Sequence, residues 1–435
     1  MIVDPAVSTM LRAAADAVRS TVGLRAGNMV EDALRLTLTD TVTIDDDGSA
    51  FVITGDIRAM WLRDSTTQML PYLRFAAACP PVAELLAAVV RRQFRLIEHD
   101  PYANAFNRRP SGAHHDRRDR CDDPLVWEQK YELDSLAYPI LLAHRLRGRT
   151  GRDDVFDERS HRVCRIVVDQ WTLEQDHDRS TYRFVRDIGI PTETLARDGR
   201  GRPVAVTGMT WSAFRPSDDA GTFGYNVPEN LHAAQALVAV ADVARAVWHD
   251  EALAADADAL RDGVLRGVAE HGIVERDGER VYAYEVDGLG GVAVMDDANM
   301  PSLLSLPIDA PDVIDPEVAA ATRRHVLGPA NPYWFSGSAA SGIGSSHTRP
   351  GRVWPIALAV EGLTGTPERR RELLDVLLAT DAGTGRMHES FDVDEPRVFS
   401  RAWFSWADSM FCELALTVVD DARDAAGSGP LGHGE

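Results

Sequence analysis

The chain has 435 residues, 45% hydrophobic and 26% charged, a composition that excludes disorder, a collagen-like repeat and a disulfide scaffold. Asp and Glu number 67 against 46 Lys and Arg, a formal net charge of −21. Such a surface repels phosphate backbones, and the longest basic stretch, Arg108 to Arg120, is interrupted by His, Asp and Gly. Neither nucleic acid nor an anionic membrane is therefore expected as a partner; the expected ligand is small and uncharged.

At the N-terminus, Met1 to Val22 carries Asp4 and Asp16 among spaced apolar residues. This predicts an amphipathic helix rather than a secretion signal, and no apolar run reaches the length of a membrane span. The expected compartment is the cytoplasm. Helical spacing of apolar residues then recurs over Pro5–Val22, Trp61–Ala78, Pro81–Glu98, Trp127–Arg147, Asp157–Leu173 and Val227–Trp248. It continues over Glu251–His271, Ala298–Leu306, Pro316–Leu327, Arg352–Leu363, Pro367–Thr380 and Trp403–Ala422. Strand-like alternation is confined to Thr41–Ile53, Tyr182–Arg186 and Arg280–Glu285.

These patterns predict an all-α fold with minor β-strand insertions. No βαβ rhythm appears, which argues against Rossmann and TIM-barrel folds. About twelve helices in six hairpins can close into a toroid, the (α/α)6 barrel; an open solenoid would show a fixed repeat, and none is present. One catalytic domain is expected over residues 1–424, with a flexible tail over 425–435 (AAGSGPLGHGE). Cys79, Cys121, Cys164 and Cys412 show no metal or disulfide spacing. Lys130 is the only lysine. An Arg-rich coding bias accounts for that without function, but the position could also be one that needs a compact ammonium.

Four segments concentrate Trp or Tyr with Asp, Glu and Arg: Thr54–Leu73, Val126–Pro139, Gly208–Leu231 and Met387–Phe411. Aromatic faces stack on the C–H faces of a sugar while carboxylates and Arg bind its hydroxyls. The plainer alternative is that Trp61, Trp127, Trp211 and Trp403 fill the core and the charges cap helices. Two carboxylate positions suit acid and base roles in glycoside hydrolysis: the tandem Asp218–Asp219, and Glu389 after a Gly-punctuated loop. Each has a structural alternative, a turn-and-cap pair for the tandem and a solvated loop acid beside His388 for Glu389. Asp296–Asp297 is taken as a cap rather than a cation site.

The words GDIRAMWLRDS, YELDSLAYPI, GMTWSAFRPSDD and MHESF, in this order between Thr54 and Phe411, resemble glycoside hydrolase family 125. The resemblance implies an (α/α)6-barrel exo-acting α-mannosidase that cleaves α-1,6 linkages with inversion and uses no cofactor or metal. It implies a general acid at Asp218 or Asp219 and a general base at Glu389. A terminal-mannose pocket would draw on Arg63, Asp64, Glu128 and Arg215, with Trp61, Trp127, Trp211, His388 and His347 beside them. Insertions around Arg108–Asp123 and Thr192–Val204 could reshape the leaving-group side. The competing readings are a sugar epimerase or isomerase on the same barrel, which would lean on His pairs, and a non-catalytic carbohydrate-binding toroid.

Overall fold

The structure, a computed structural model, describes residues 4–427 and 429. Twelve helices of six residues or more run through the described residues. They are α1 (Pro5–Thr21), α2 (Leu24–Leu36), α3 (Leu62–Thr67), α4 (Pro80–His99), α5 (Leu133–Thr150) and α6 (Glu158–Glu174). After these come α7 (Val227–Val243), α8 (Glu251–Gly267), α9 (Pro316–Val326), α10 (Pro355–Leu363), α11 (Pro367–Ala379) and α12 (Ser405–Ala425). Small antiparallel sheets of two or three strands occupy the connections.

Burial separates the helices into two sets. Nearly every residue of α7 and α10, and the run Leu133–Ala143 of α5, is buried; α1, α6, α8 and α9 bury only a stripe. The fully buried set lies side by side: α12 against α3 and α10, α3 against α5, α5 against α7. Around it α4 packs on α5 and α6, α6 on α8, and α1 on α2 and α12. One hydrophobic cluster extends from Leu11 to Val419. No helix among the described residues is long and apolar enough to cross a membrane.

Several expected elements differ, each for a local reason. The helix expected over Trp61–Ala78 is a strand at Met60–Trp61, then α3, then a single turn at Leu70–Leu73; Pro71 has no N–H to give the preceding turn. The stretch expected to be helical from Trp127 begins as the strand Val126–Glu128, paired with Ala105–Phe106, and turns helical only at Leu133. Ala298–Ser305 is a loop, because the Asp296 carboxylate accepts the amides of Leu303 (2.8 Å) and Leu304 (2.9 Å), and Leu306 opens a single helical turn. Tyr182–Arg186 contributes one bridge, Arg186 to Asp119, and no strand. The ends of α7 and α8 widen into π turns at Ala244–Trp248 and Val268–Gly272.

Helix α2 lay outside the expected set. Its Gly27 lowers helix propensity in the sequence, yet a Cβ there would meet the Ala15 carbonyl at 2.7 Å, so the close approach of α1 requires the glycine. Of the expected tail, Ala425 closes α12 and Ala426–Gly427 form a turn; residues 428 and 430–435 lie outside the described residues. All four cysteines are free thiols.

Candidate active site

The connections leading into the buried helices converge on one cavity of about 260 Å³. Trp61, Arg63 and Asp64 enter at the start of α3 and Lys130 just before α5; Asp218 comes from the loop ahead of α7, Trp354 from the N-cap of α10, and Phe404 and Trp406 from the start of α12. Helix N-termini carry partial positive charge, which suits the carboxylates gathered there. The volume lies below the usual range for drug-sized ligands and suits a single small ring.

Arg63 organises the floor. It is 2% exposed and its Nη1 reaches Glu132 at 2.8 Å and Asp134 at 3.0 Å, while Nη2 reaches Asp218 at 3.0 Å. Burial alone would lower its pKa, but Glu132, Asp134, Asp218 and Asp64 together raise it. Burial pushes Glu132 well above the ordinary carboxylate range against the pull of Arg63, and lifts Asp64 to about 6. Asp218 goes the other way: burial opposes ionisation, yet Arg63 and Lys130 hold it below its usual value, helped by a hydrogen bond with Glu132. A raised pKa on the acid itself, the expectation from mechanism, is therefore not what the geometry gives. Burial thus favours a proton on Glu132 and the two cations favour an ionised Asp218, two carboxyls that interact through their shared hydrogen bond.

The tandem aspartates diverge. The segment Arg215–Asp219 is a tight hairpin loop: Asp218 N–H donates to the Arg215 carbonyl at 2.9 Å and Arg215 N–H to the Asp219 carbonyl at 2.8 Å. Pro216 suits the first corner, and Asp218 takes the left-handed slot (φ 65°) that glycine or asparagine usually fills. Its side chain keeps 26% exposure and lines the cavity; that of Asp219 keeps 2% and is bonded by the Ser346 hydroxyl at 2.5 Å and His347 Nδ1 at 3.1 Å.

Glu389 lines the same cavity, with Arg401 at 3.6 Å as its cation and its amide bonded to the Ser400 carbonyl at 3.2 Å. Arg401 is itself fixed by Asp56 and Thr54 and lies 4.3 Å above the Phe404 ring.

Of the twelve residues singled out in the sequence, the structure brings Trp61, Arg63, Asp64, Glu128, Asp218, His347 and Glu389 into the cavity wall. Five do not line it. Trp127 packs on a separate small cluster with Trp61 and meets His115 edge-on. Trp211 is a core residue stacked on His177 at 3.5 Å, as the core-filling alternative expects. Arg215 is bound to Glu285 at 2.5 Å and braces the hairpin from behind. His388 is buried and stacked on Phe399 at 3.6 Å. Asp219 faces Ser346 and His347. Wall residues not singled out include His115, Trp354, Arg401 and Trp406; Arg401 and Trp406 lay within the segment Met387–Phe411, so the signal for them was present.

Glu193, Asp219 and His347 bring possible ligand atoms within 4.8 Å of one another. Lys130 and Arg186 already bind Glu193, and His347 binds Asp219, so cations of the protein satisfy the set.

The titrations have a consequence for stability. Burial pulls His347 down, but its hydrogen bond to Asp219 and the charges of Asp219, Glu389 and Asp218 together raise it to about 9, and burial raises Asp296 to about 8. Both groups hold protons in the folded state that the unfolded chain releases earlier, so their contribution is lost as pH rises through these values. We expect the melting temperature, followed by circular dichroism, to fall between pH 7 and pH 9, and the fall to be shallower in His347→Gln.

Residues 25–416 match the family described as metal-independent alpha-mannosidase, glycoside hydrolase family 125. A Streptococcus pneumoniae metal-independent α-mannosidase, solved in a non-productive complex with α-1,6-mannobiose, is 44% identical with a TM-score of 0.94. The match covers 97% of this chain and 100% of that one. The meiotically up-regulated gene 157 protein of Schizosaccharomyces pombe is 38% identical over 390 residues, 85% of this chain and 76% of that protein. A glycosidase variant at 16% identity and a TM-score of 0.53, covering 93% of this chain and 98% of its own, shares the fold alone.

Proposed function

Because the chain belongs to glycoside hydrolase family 125, the metal-independent α-mannosidases, we propose that it is an exo-acting α-mannosidase that removes terminal α-1,6-linked mannose with inversion. The observation that carries this reading is the presence of Asp218 and Glu389 on the wall of one small, aromatic-lined cavity. The α-1,6-mannobiose bound to the pneumococcal relative supports the linkage. We further propose that the helices close into an (α/α)6 barrel and act as one catalytic domain.

In this mechanism the glycosidic oxygen approaches Asp218. The proton carried by the Asp218–Glu132 pair is given through Asp218 to the leaving oxygen, and the negative charge left on the pair is stabilised by Arg63, with Lys130 beside it. Glu389 takes a proton from the water that attacks the anomeric carbon from the other face. Inverting enzymes hold the two carboxyls about 6.5–9.5 Å apart to admit that water. Trp61, Trp354 and Trp406 offer apolar faces to the ring, and Arg63 and Asp64 bind its hydroxyls. Acid and base chemistry of this kind needs no cofactor.

The test is to incubate the purified protein with α-1,6-, α-1,3- and α-1,2-mannobiose and follow the anomeric protons by NMR. Fastest cleavage of the α-1,6 disaccharide with β-mannose appearing first is expected. α-Mannose appearing first would overturn inversion. Isomerised sugar without cleavage would favour an epimerase, and binding without any reaction a carbohydrate-binding toroid.

A further inference from the structure

Of 46 basic residues, the single lysine is buried in the active-site wall. Lys130 Nζ donates to the main-chain carbonyl of Asp218 at 2.6 Å and to Glu193 Oε2 at 3.0 Å, and lies 3.5 Å from Glu128 Oε1. Three oxygens, two of them hydrogen-bonded, thus surround the ammonium, and the Phe214 ring centre is 5.1 Å away. Arg186 occupies the adjoining space, bonded to both Glu128 and Glu193. A guanidinium at position 130 would keep its donors in one plane and needs more room than an ammonium, beside space that Arg186 already fills.

We propose that Lys130 is a positioning residue: by pinning the carbonyl of Asp218 it holds that residue in its left-handed conformation, with the carboxyl aimed at the departing oxygen. The inference rests on the mannosidase reading above. Asp218 occupies a hairpin slot that favours glycine and that aspartate tolerates, so a contact on its main chain bears directly on where the carboxyl sits. The hydrogen bonds within the loop close its turn; Arg63 and Asn104 reach the Asp218 carboxylate, whereas Lys130 fixes its main-chain carbonyl. It also adds a positive charge close to the carboxylate that forms when Asp218 gives up its proton.

The variants Lys130→Arg and Lys130→Met test this on α-1,6-mannobiose and on 2,4-dinitrophenyl α-mannoside, whose leaving group departs without a proton. With the acid misaimed, kcat on the disaccharide is expected to fall about 100-fold in both variants. KM should stay within about threefold and kcat on the aryl glycoside within about tenfold, because binding and the base are untouched. Lys130→Arg keeps the charge, so it provides a folded variant should Lys130→Met melt early. Wild-type kcat on mannobiose in Lys130→Arg, or equal losses on the two substrates, overturns the proposal while leaving the mannosidase reading intact. A wild-type protein that cleaves neither substrate overturns both.

Discussion

Glu389→Gln is expected to leave a folded protein whose turnover falls about 10³–10⁴-fold, the range that loss of a general base produces. The amide keeps the size of the carboxyl and its place beside Arg401, 3.6 Å away. The main chain is fixed independently, by the bond from the Glu389 amide to Ser400 and by the strand Ser390–Asp392 that follows. Melting temperature should therefore change little, and mannobiose should still bind, as titration calorimetry would report. The loss should be the same on α-1,6-mannobiose and on a dinitrophenyl mannoside, since water must be activated for either. Azide, which needs no base, should restore turnover on the activated substrate and yield β-mannosyl azide by attack on the face opposite the leaving group. An α-configured azide, or near-normal turnover in the variant, would remove Glu389 from the role.

The class of the fold and much of the site were legible in the sequence, and the parts that were not share a physical cause. Helical spacing marks α1, α6, α9 and α11 because each buries one face, so its pattern is local. It misses α2, where Gly27 is dictated by the approach of Ala15 from another helix, and it overextends into Ala298–Ser305, where Asp296 takes up the amides of a turn. At the site, residue types identify the chemistry but not the side to which each points. Adjacent residues can face different surroundings: His388 stacks on Phe399 while Glu389, at the bend before the strand, meets the cavity. Trp61 and Trp211 occur in similar company in the sequence, yet one lines the cavity and the other stacks on His177 in the core. The lone lysine was visible in the composition, and its meaning required the carbonyl of Asp218 beside it.

The same geometry separates two adjacent acids that the sequence leaves equivalent. Asp218→Asn should fold normally, since asparagine tolerates the left-handed slot as well as aspartate does, and Nδ2 or Oδ1 can still meet Asn104 and Glu132. What it cannot do is carry a proton to the glycosidic oxygen. Turnover of α-1,6-mannobiose should fall about 10²–10⁴-fold, whereas a dinitrophenyl mannoside should lose far less. Asp219→Asn is expected to behave differently. Its side chain is 2% exposed and engaged by Ser346 and His347, so the change should weaken the hold on the hairpin, lower the melting temperature, and reduce turnover on both substrates to a similar degree. It should also remove the main support for a charged His347, bringing that imidazole down from about 9, a shift that NMR titration of the ring protons would follow. If Asp219→Asn instead showed the leaving-group dependence and Asp218→Asn did not, the acid would be the buried member of the pair. The hairpin would then have to reverse its two side chains when sugar binds.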